Sequence, residues 1–97
     1  MATNPMNSHT FRGRRYRIKF HNRFDPDAMG LCEHPNSLNK TIHIRPNLSD
    51  QDYLETVLDE AIHACLWELD NDIVDQMSTD IARFLVRLFD IKRKEPR

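Results

Sequence analysis

The chain has 97 residues, which is the size of one domain and leaves no room for a second. Its hydrophobic fraction of 39% and charged fraction of 30%, with only two glycines, exclude a low-complexity, collagen-like or linker sequence. The net charge of −1 and the isoelectric point near 6.5 argue against a dedicated nucleic-acid-binding protein, and no apolar run approaches the roughly 20 residues that cross a bilayer.

The N-terminal segment, residues 1–11, is polar, has no periodicity and lacks the apolar stretch of a signal peptide. It therefore predicts a disordered leader. The two cysteines, Cys32 and Cys65, lie far apart in the sequence and form no C-x-x-C metal or redox pair. We therefore expect free thiols and a cytoplasmic location.

Two segments alternate between apolar and polar side chains, as half-buried strands do. In residues 16–20, large apolar side chains alternate with Arg17 and Lys19, which predicts a strand with a basic outer face. Residues 40–45 alternate in the same way until a proline stops the pattern. The irregular connection between these segments contains one short candidate strand at residues 30–32.

Two amphipathic helices are predicted to follow the strands. Ser49, with an acid three residues later, resembles a capping box, and apolar residues then recur at helical spacing to about residue 68. The stripe is centred near Ala61 and Cys65, and Cys65 is expected in the core. Asp70 is expected to cap a second helix that runs to about residue 91.

This order of elements predicts a single α+β domain over residues 12–91, in which a small two- or three-stranded antiparallel sheet precedes a C-terminal helical hairpin. A charged tail over residues 92–97 is expected to fray. The helices are acidic, since no lysine or arginine occurs between Arg45 and Arg83. Such a segment can attract a cation or a basic partner, or it can form a solvated helix face.

The first helix carries its chemistry in Asp59, Glu60 and His63. Asp59 and His63 are four residues apart, so they project from one helical face, with Glu60 one step around the helix. This is the spacing of the zinc-protease motif H-E-x-x-H, with aspartate in place of the first histidine. Aspartate can bind zinc, but its shorter side chain and its charge are expected to weaken hydrolysis. The alternative is a set of surface residues in which Asp59 and His63 form an exposed pair.

The surrounding sequence resembles the minimal zincin core of SprT-like metallopeptidases, and it resembles still more closely a group of small phage and bacterial proteins of that type. The resemblance is carried by the I-x-I strand at residues 42–44, by residues 54–64 around the motif, and by the segments 69–75 and 82–88. It covers about residues 14–90. It implies a zincin-like fold, a bound zinc ion and, for a phage-encoded chain, a location in the host cytoplasm.

The resemblance also implies roles for individual residues. Asp59 takes the place of the first zinc ligand, Glu60 that of the general base, and His63 that of the second ligand. Zincins need a third protein ligand, and no histidine follows His63. The candidates are Asp75, which we prefer slightly, and Asp72. The alternative for both acids is a favourable interaction with the positive end of the second helix.

Four further residues are candidates for the border of such a site. Cys32 matches a position that is often cysteine in the resembling proteins, although a small buried residue is the more general interpretation. Trp67 is expected to wall the cleft or to lie partly exposed near the helix turn. His43 is expected to point away from the buried side of the sheet, either to solvent or to the metal site. His34 is expected to be exposed.

Three functions compete on this sequence. The first is a zinc-dependent hydrolase of the peptidase type with a weakened or altered metal site. The second is a catalytically inactive zincin scaffold, a phage accessory protein that binds and modulates a host protein. The third is an architectural subunit that oligomerises through its helical hairpin. The expected partner is a protein or a peptide; a nucleic acid is less favoured, and no membrane partner is expected.

Overall fold

A computed structural model of the chain describes residues 7–89. It contains, in chain order, β1 (Ser8–Phe11), β2 (Arg14–Phe20), β3 (Gly30–Cys32), β4 (Thr41–Ile44), α1 (Asp50–Cys65) and α2 (Asn71–Phe89). The predicted α+β class, with a small sheet followed by a helical hairpin, is confirmed. The predicted tail at residues 92–97 lies outside the described residues.

The sheet is mixed rather than antiparallel, and it has more strands than expected. Its order is β1-β2-β4-β3, in which β1 and β2 are antiparallel, β2 and β4 are parallel, and β4 and β3 are antiparallel. The parallel pair arises because the chain reverses direction twice between β2 and β4, once before β3 and once after it. Because β3 pairs with the side of β4 that faces away from β2, β4 lies in the interior of the sheet and β3 forms one edge.

Strand β1 corrects the prediction of a disordered leader over residues 1–11, because the last part of that segment pairs with β2. Residues 1–6 lie outside the described part of the chain. The two strands are joined by Arg12 and Gly13, whose φ angles of 49° and 83° are typical of a type I′ hairpin turn. The hairpin was missed because its strand is short and mostly polar.

The β1–β2 hairpin is anchored at both its strand and its turn. Phe11 packs against the core cluster. Its ring contacts the Tyr16 ring edge-on, with the two ring centroids 5.9 Å apart. The Arg12 guanidinium donates a hydrogen bond to the Cys65 carbonyl oxygen (2.9 Å), at the C-terminal end of α1. A cation at that end of a helix is favourable, so the turn also caps α1.

The core lies between one face of the sheet and α1. Its buried side chains come from the inward positions of β2, β3 and β4 and from α1, namely Tyr16, Cys32, Ile42, Ile44 and Ala64. Cys65, expected in the core, is only half-buried, and the buried residues of α1 are Thr56, Glu60 and Ala64. The helix is therefore rotated by about one residue from the expected orientation, which places Glu60 on its most buried side.

Both helices begin at the predicted caps. The Asp52 backbone N–H donates to Ser49 Oγ (3.2 Å), and the Asp72 backbone N–H donates to Asp70 Oδ1 (3.2 Å). The first helix ends before the predicted residue 68, because Leu66 leaves the helical conformation and begins the turn to α2.

The second helix packs along α1 and makes no contact with the strands. Its buried residues are Val74, Ser78 and Ala82. Within residues 7–89, the outer face of the sheet and the far side of α2 therefore have no covering element. Neither helix has the length and hydropathy needed to span a bilayer.

Candidate functional site

A groove runs between the edge strand β3 and the two helices. Two adjoining cavities of about 590 and 520 Å³ form it, and both are lined by Gly30, Asp59, Glu60 and Asp75. Strand β3 supplies one side of the groove, α1 supplies its middle, and α2 supplies the other side. The predicted motif therefore lies where the sheet and both helices meet.

Gly30 sets the distance between β3 and α1. A Cβ atom at this position would lie 2.7 Å from Thr56 Cγ2 and 2.9 Å from Glu60 Oε2. Both distances are shorter than van der Waals contact, so a glycine is needed for the strand to approach the helix this closely. The close approach brings the Glu60 carboxyl group next to the strand backbone.

Asp59, Glu60 and His63 lie together in this groove. One potential ligand atom from each residue lies within 4.8 Å of those of the other two. Small side-chain rotations can close such a set around one ion, since zinc binds nitrogen and oxygen at about 2.0–2.2 Å. The alternative of an exposed surface pair does not hold, because Asp59 and His63 are half-buried and Glu60 is only 6% exposed.

Asp59 is held by residues of both helices. Ser78 Oγ of α2 donates a hydrogen bond to Asp59 Oδ1 (3.3 Å), and His63 Nε2 lies 3.6 Å from Asp59 Oδ2. The pKa of Asp59 is raised to about 7, first because burial disfavours its charge and second because the Asp75 carboxyl group faces it. Asp59 can therefore release a proton near neutral pH when a cation binds.

Glu60 is the least satisfied group in the groove. No residue among 7–89 donates a hydrogen bond to its buried carboxyl group. Burial raises the pKa of Glu60 to about 8, with smaller contributions from the charges of Asp59 and Asp75. Buried polar groups are nearly always hydrogen-bonded, so an unpartnered carboxyl group points to a ligand that binds it.

His63 supplies the nitrogen donor, and Trp67 closes its end of the groove. Burial lowers the pKa of His63, although Asp75 opposes the shift, so the imidazole is neutral at pH 7 and keeps a lone pair for a metal. The centroid of the Trp67 ring lies 6.1 Å from the centroid of the His63 ring and 5.0 Å from that of the His34 ring. The prediction that Trp67 walls the cleft is confirmed, and His34 is exposed as expected.

The two candidates for the third ligand occupy different surroundings. Asp75 lines both cavities and faces Asp59. Both residues are exposed, but Asp72 lines neither cavity. Asp72 precedes Asp75 by three residues, so it lies about 4.5 Å nearer the N-terminus of α2 and about 60° away around the helix axis. The structure thus brings Asp75 to the groove and leaves Asp72 at the start of the helix.

Cys32 borders the groove as part of the core. Its side chain is buried, and its thiol donates a weak hydrogen bond to the Glu33 carbonyl oxygen (3.6 Å). Burial and then the charge of Glu60 raise the pKa of Cys32 to about 12. The thiol stays protonated at neutral pH, so it is a poor metal ligand in this state.

The end of the groove away from Trp67 is acidic. Asp27, Asp52 and Glu55 line it, and no lysine or arginine of the described residues does. Asp27 could not be placed beside α1 from the sequence, because it belongs to the irregular connection before β3. Ser78 was also missed; a small polar residue within the apolar stripe of α2 is the signal that could have found it.

A second cluster of histidine and carboxylate lies on the outer face of the sheet. His21 Nε2 lies 2.8 Å from His43 Nδ1, and His43 Nε2 lies 2.8 Å from Glu33 Oε2. His43 points away from the buried side, as predicted. The sequence left two surroundings open for His43, solvent or the metal site. Its side chain is in neither, because it is half-buried within the outer cluster.

Comparisons of the chain with models of protein families, with curated proteins and with solved structures return no match. The groove itself offers the His63 imidazole nitrogen and carboxylate oxygens of Asp59 and Glu60 within 4.8 Å of one another, and Asp75 lines the same cavity. Zinc accepts both kinds of donor, and a set this rich in carboxylate also suits manganese. The residues present therefore fit a divalent ion.

Proposed function

We propose that this protein is a small zinc-dependent hydrolase of the peptidase type, with an altered set of metal ligands. The observation that carries the proposal is the Glu60 carboxyl group, which is buried without a hydrogen-bond donor beside Asp59 and His63. The resemblance of the motif to H-E-x-x-H and of the chain to SprT-like metallopeptidases supports the same assignment.

Asp59, His63 and Asp75 would hold the ion, and Glu60 would lie beside them as the proton acceptor. When bound, zinc supplies a Lewis acid and lowers the pKa of a coordinated water molecule. Glu60 accepts a proton from the attacking water and returns it to the leaving amine. Two carboxylate ligands reduce the effective charge of the ion, so we expect slower hydrolysis than with histidine ligands.

The free edge of β3 suits an extended peptide. Met29 and Glu33 make backbone hydrogen bonds to β4, so in an antiparallel ladder the N–H and C=O groups of Gly30 and Cys32 point the other way. A peptide added at this edge would pair with those groups and pass beside Glu60.

The charge of the groove favours a basic peptide. A lysine or arginine side chain at the acidic end would meet Asp27, Asp52 and Glu55, and an apolar side chain at the other end would meet Trp67. The free thiols of Cys32 and Cys65 support a cytoplasmic substrate.

Elemental analysis of protein purified without chelator tests the metal site. We expect about one zinc ion per chain, and loss of zinc in His63→Ala and in Asp75→Asn. Asp72→Asn and His43→Ala are matched controls that should keep the ion. Wild-type protein without metal, or His63→Ala with as much metal as wild type, would refute the proposed site.

Cleavage of a mixed peptide library by the zinc-loaded protein tests the reaction. We expect slow cleavage beside lysine or arginine, and none by Glu60→Gln at equal zinc content. A zinc-loaded wild-type protein that cleaves no peptide would remove the peptidase assignment while leaving the metal site in place.

The second candidate is a catalytically inactive scaffold that binds and modulates a host protein. The outer face of the sheet favours it, because Arg15, Arg17 and Lys19 are exposed there and no described element covers them. Such a face suits an acidic protein. This function predicts a complex that dissociates in high salt and is lost in Arg17→Glu, with no dependence on His63.

A further inference from the structure

The hydrogen-bonded histidine pair on the outer face of the sheet has no place for an extra proton. The Arg23 backbone N–H donates to His21 Nδ1 (3.0 Å), which must therefore carry no proton. His21 Nε2 and His43 Nδ1, 2.8 Å apart, must share one proton, and His43 Nε2 must carry the proton that it donates to Glu33 Oε2 (2.8 Å). All three bonds therefore form only while both imidazole rings are neutral.

A proton that enters the pair breaks one of these bonds. On His43 Nδ1 it would face the N–H of His21 Nε2, and on His21 Nδ1 it would face the Arg23 backbone N–H. Either position sets two donors against each other, so one hydrogen bond is lost in each case. The loss of one such bond changes an equilibrium by about tenfold.

The charges around the pair also disfavour its protonation. The pKa of His21 is lowered, first because burial disfavours its charge and second because His43 lies beside it. The other charged groups that face the pair are three cations and one acid, namely Arg23, Lys19, Arg45 and Glu33. A protonated pair is therefore repelled by three cations, and the single acid opposes this repulsion from the His43 side.

The Phe24 ring connects the pair to Arg45. Its centroid lies 5.3 Å from the centroid of the His21 ring and 5.9 Å from that of the His43 ring. The Arg45 guanidinium carbon lies 4.8 Å from the same Phe24 centroid, in a cation–π contact. A positive charge on the pair would weaken this arrangement, because it repels the guanidinium that packs on the ring.

Arg45 in turn holds the part of the loop that lines the groove. Its Nε donates to the Ala28 carbonyl oxygen (2.9 Å), and its Nη2 donates to the Asp25 carbonyl oxygen (2.8 Å). Asp27 lies between these two anchor points in the chain and lines the acidic end of the groove. Packed contacts therefore lead from the histidine pair on one side of the sheet to the groove on the other.

We propose that residues 21–28 form a pH-sensitive loop, which the neutral pair of His21 and His43 holds in place and which loosens when the pair takes up a proton. Because Asp27 belongs to this loop, the acidic end of the groove is complete only while the pair is neutral. Protonation shifts the equilibrium between a held and a loosened loop. The proposal does not depend on a bound metal, since none of these residues is a candidate ligand.

Amide hydrogen exchange resolved by NMR tests the loop. After correction for the intrinsic effect of pH, the protection of three amides should fall by about tenfold between about pH 7.5 and pH 5, because one hydrogen bond is lost. These amides belong to Arg23, Asp27 and Ala28. His21→Gln should abolish the fall, since its side-chain amide can donate or accept and so satisfies its partner in either protonation state. His9→Gln is the matched control at an exposed position and should behave like wild type.

Asp59 titrates over part of the same pH range, but it is unchanged in His21→Gln, so the comparison of this variant with wild type removes its effect. A variant that combines His21→Gln with His43→Gln is a second test, because neither position can then titrate. Circular dichroism at both pH values establishes that each variant is folded. Equal protection at both pH values in wild type, the full fall in His21→Gln, or a fall confined to the Arg23 amide would overturn the proposal.

Discussion

Two clusters of histidine and carboxylate occupy opposite sides of the same sheet, and they differ in how far their hydrogen bonds are satisfied. In the outer cluster, the Arg23 backbone N–H donates to His21 Nδ1 (3.0 Å), which leaves His21 Nε2 to donate to His43 Nδ1. His43 Nε2 then donates to Glu33. Each ring nitrogen has one partner and one role, so the cluster is complete without a ligand.

The groove cluster contains the same residue types but is incomplete. His63 Nε2 is 3.6 Å from Asp59, which is longer than a normal hydrogen bond, and no described residue donates to the buried Glu60. Both carboxyl groups have raised pKa values. The difference teaches that a histidine beside a carboxylate indicates a ligand site only where burial leaves the acid without a donor.

The largest expected effect is on stabilisation by zinc. Free zinc at about 100 times its Kd should stabilise the protein by about 2.7 kcal/mol and raise Tm by about 10 °C or more. The shift should be smaller at pH 6 than at pH 8 at the same zinc concentration, because a proton must leave Asp59 before the ion binds. Differential scanning fluorimetry with and without chelator measures it.

The two histidine clusters provide the control for that measurement. His63→Ala should abolish the zinc-dependent shift, and His43→Ala should retain it. The reverse result would indicate that zinc binds at the cluster on the outer face of the sheet instead.

An effect of comparable size is expected on the pH dependence of stability in the absence of metal. The pKa of Glu60 is about 8 in the folded protein and 4.5 in the ordinary case, so the folded state keeps a proton that the unfolded chain has lost. Stability therefore falls as pH rises from about 4.5 to 8. Residue 60 does not titrate in the Glu60→Gln variant. The free energy of unfolding of this variant, relative to that of wild type, should therefore be higher at pH 8 than at pH 4.5 by about 2–4 kcal/mol.

Urea unfolding at the two pH values, in the presence of chelator, measures this difference. Glu68→Gln, at an exposed position, should leave the pH dependence unchanged. An equal pH dependence in Glu60→Gln and wild type would show that burial does not raise the pKa of Glu60.

A smaller effect is expected from closing the space between β3 and α1. Gly30→Ala should lower stability by about 1–3 kcal/mol, because its Cβ would overlap Thr56 and Glu60. It should also weaken zinc binding by displacing α1, which carries Asp59 and His63. Gly13→Ala should cost about 1 kcal/mol through its positive φ alone and leave zinc binding intact. Equal zinc affinities in the two variants would contradict the role of Gly30.

The smallest effect is expected from the complete cluster. Glu33→Ala removes the acceptor of His43 and should lower stability by about 1 kcal/mol, since the partly exposed imidazole can bond to water instead. Chemical denaturation measures the change. Zinc binding should be unaffected, and a loss of zinc in this variant would show that the two clusters are coupled.

The elements that depend on local sequence were predicted well. Ser49 and Asp70 cap the helices as expected, because a cap is a contact between neighbouring residues. The missed strand β1 depends on pairing with β2, and its only local signal was the glycine of a two-residue turn at Gly13. The parallel pairing of β2 with β4 has no local signal, since it depends on where the chain returns.

The sequence by itself determined that Asp59 and His63 project together, because the helical repeat fixes residues four apart on one side. Only the tertiary structure decided that Glu60 is the most buried acid, that Asp75 rather than Asp72 faces it, and that Asp27 joins the groove. The reason is that burial and the resulting pKa shifts depend on how α1 is rotated against β3 and α2. That rotation is set by contacts such as Gly30 against Thr56, between residues far apart in the chain.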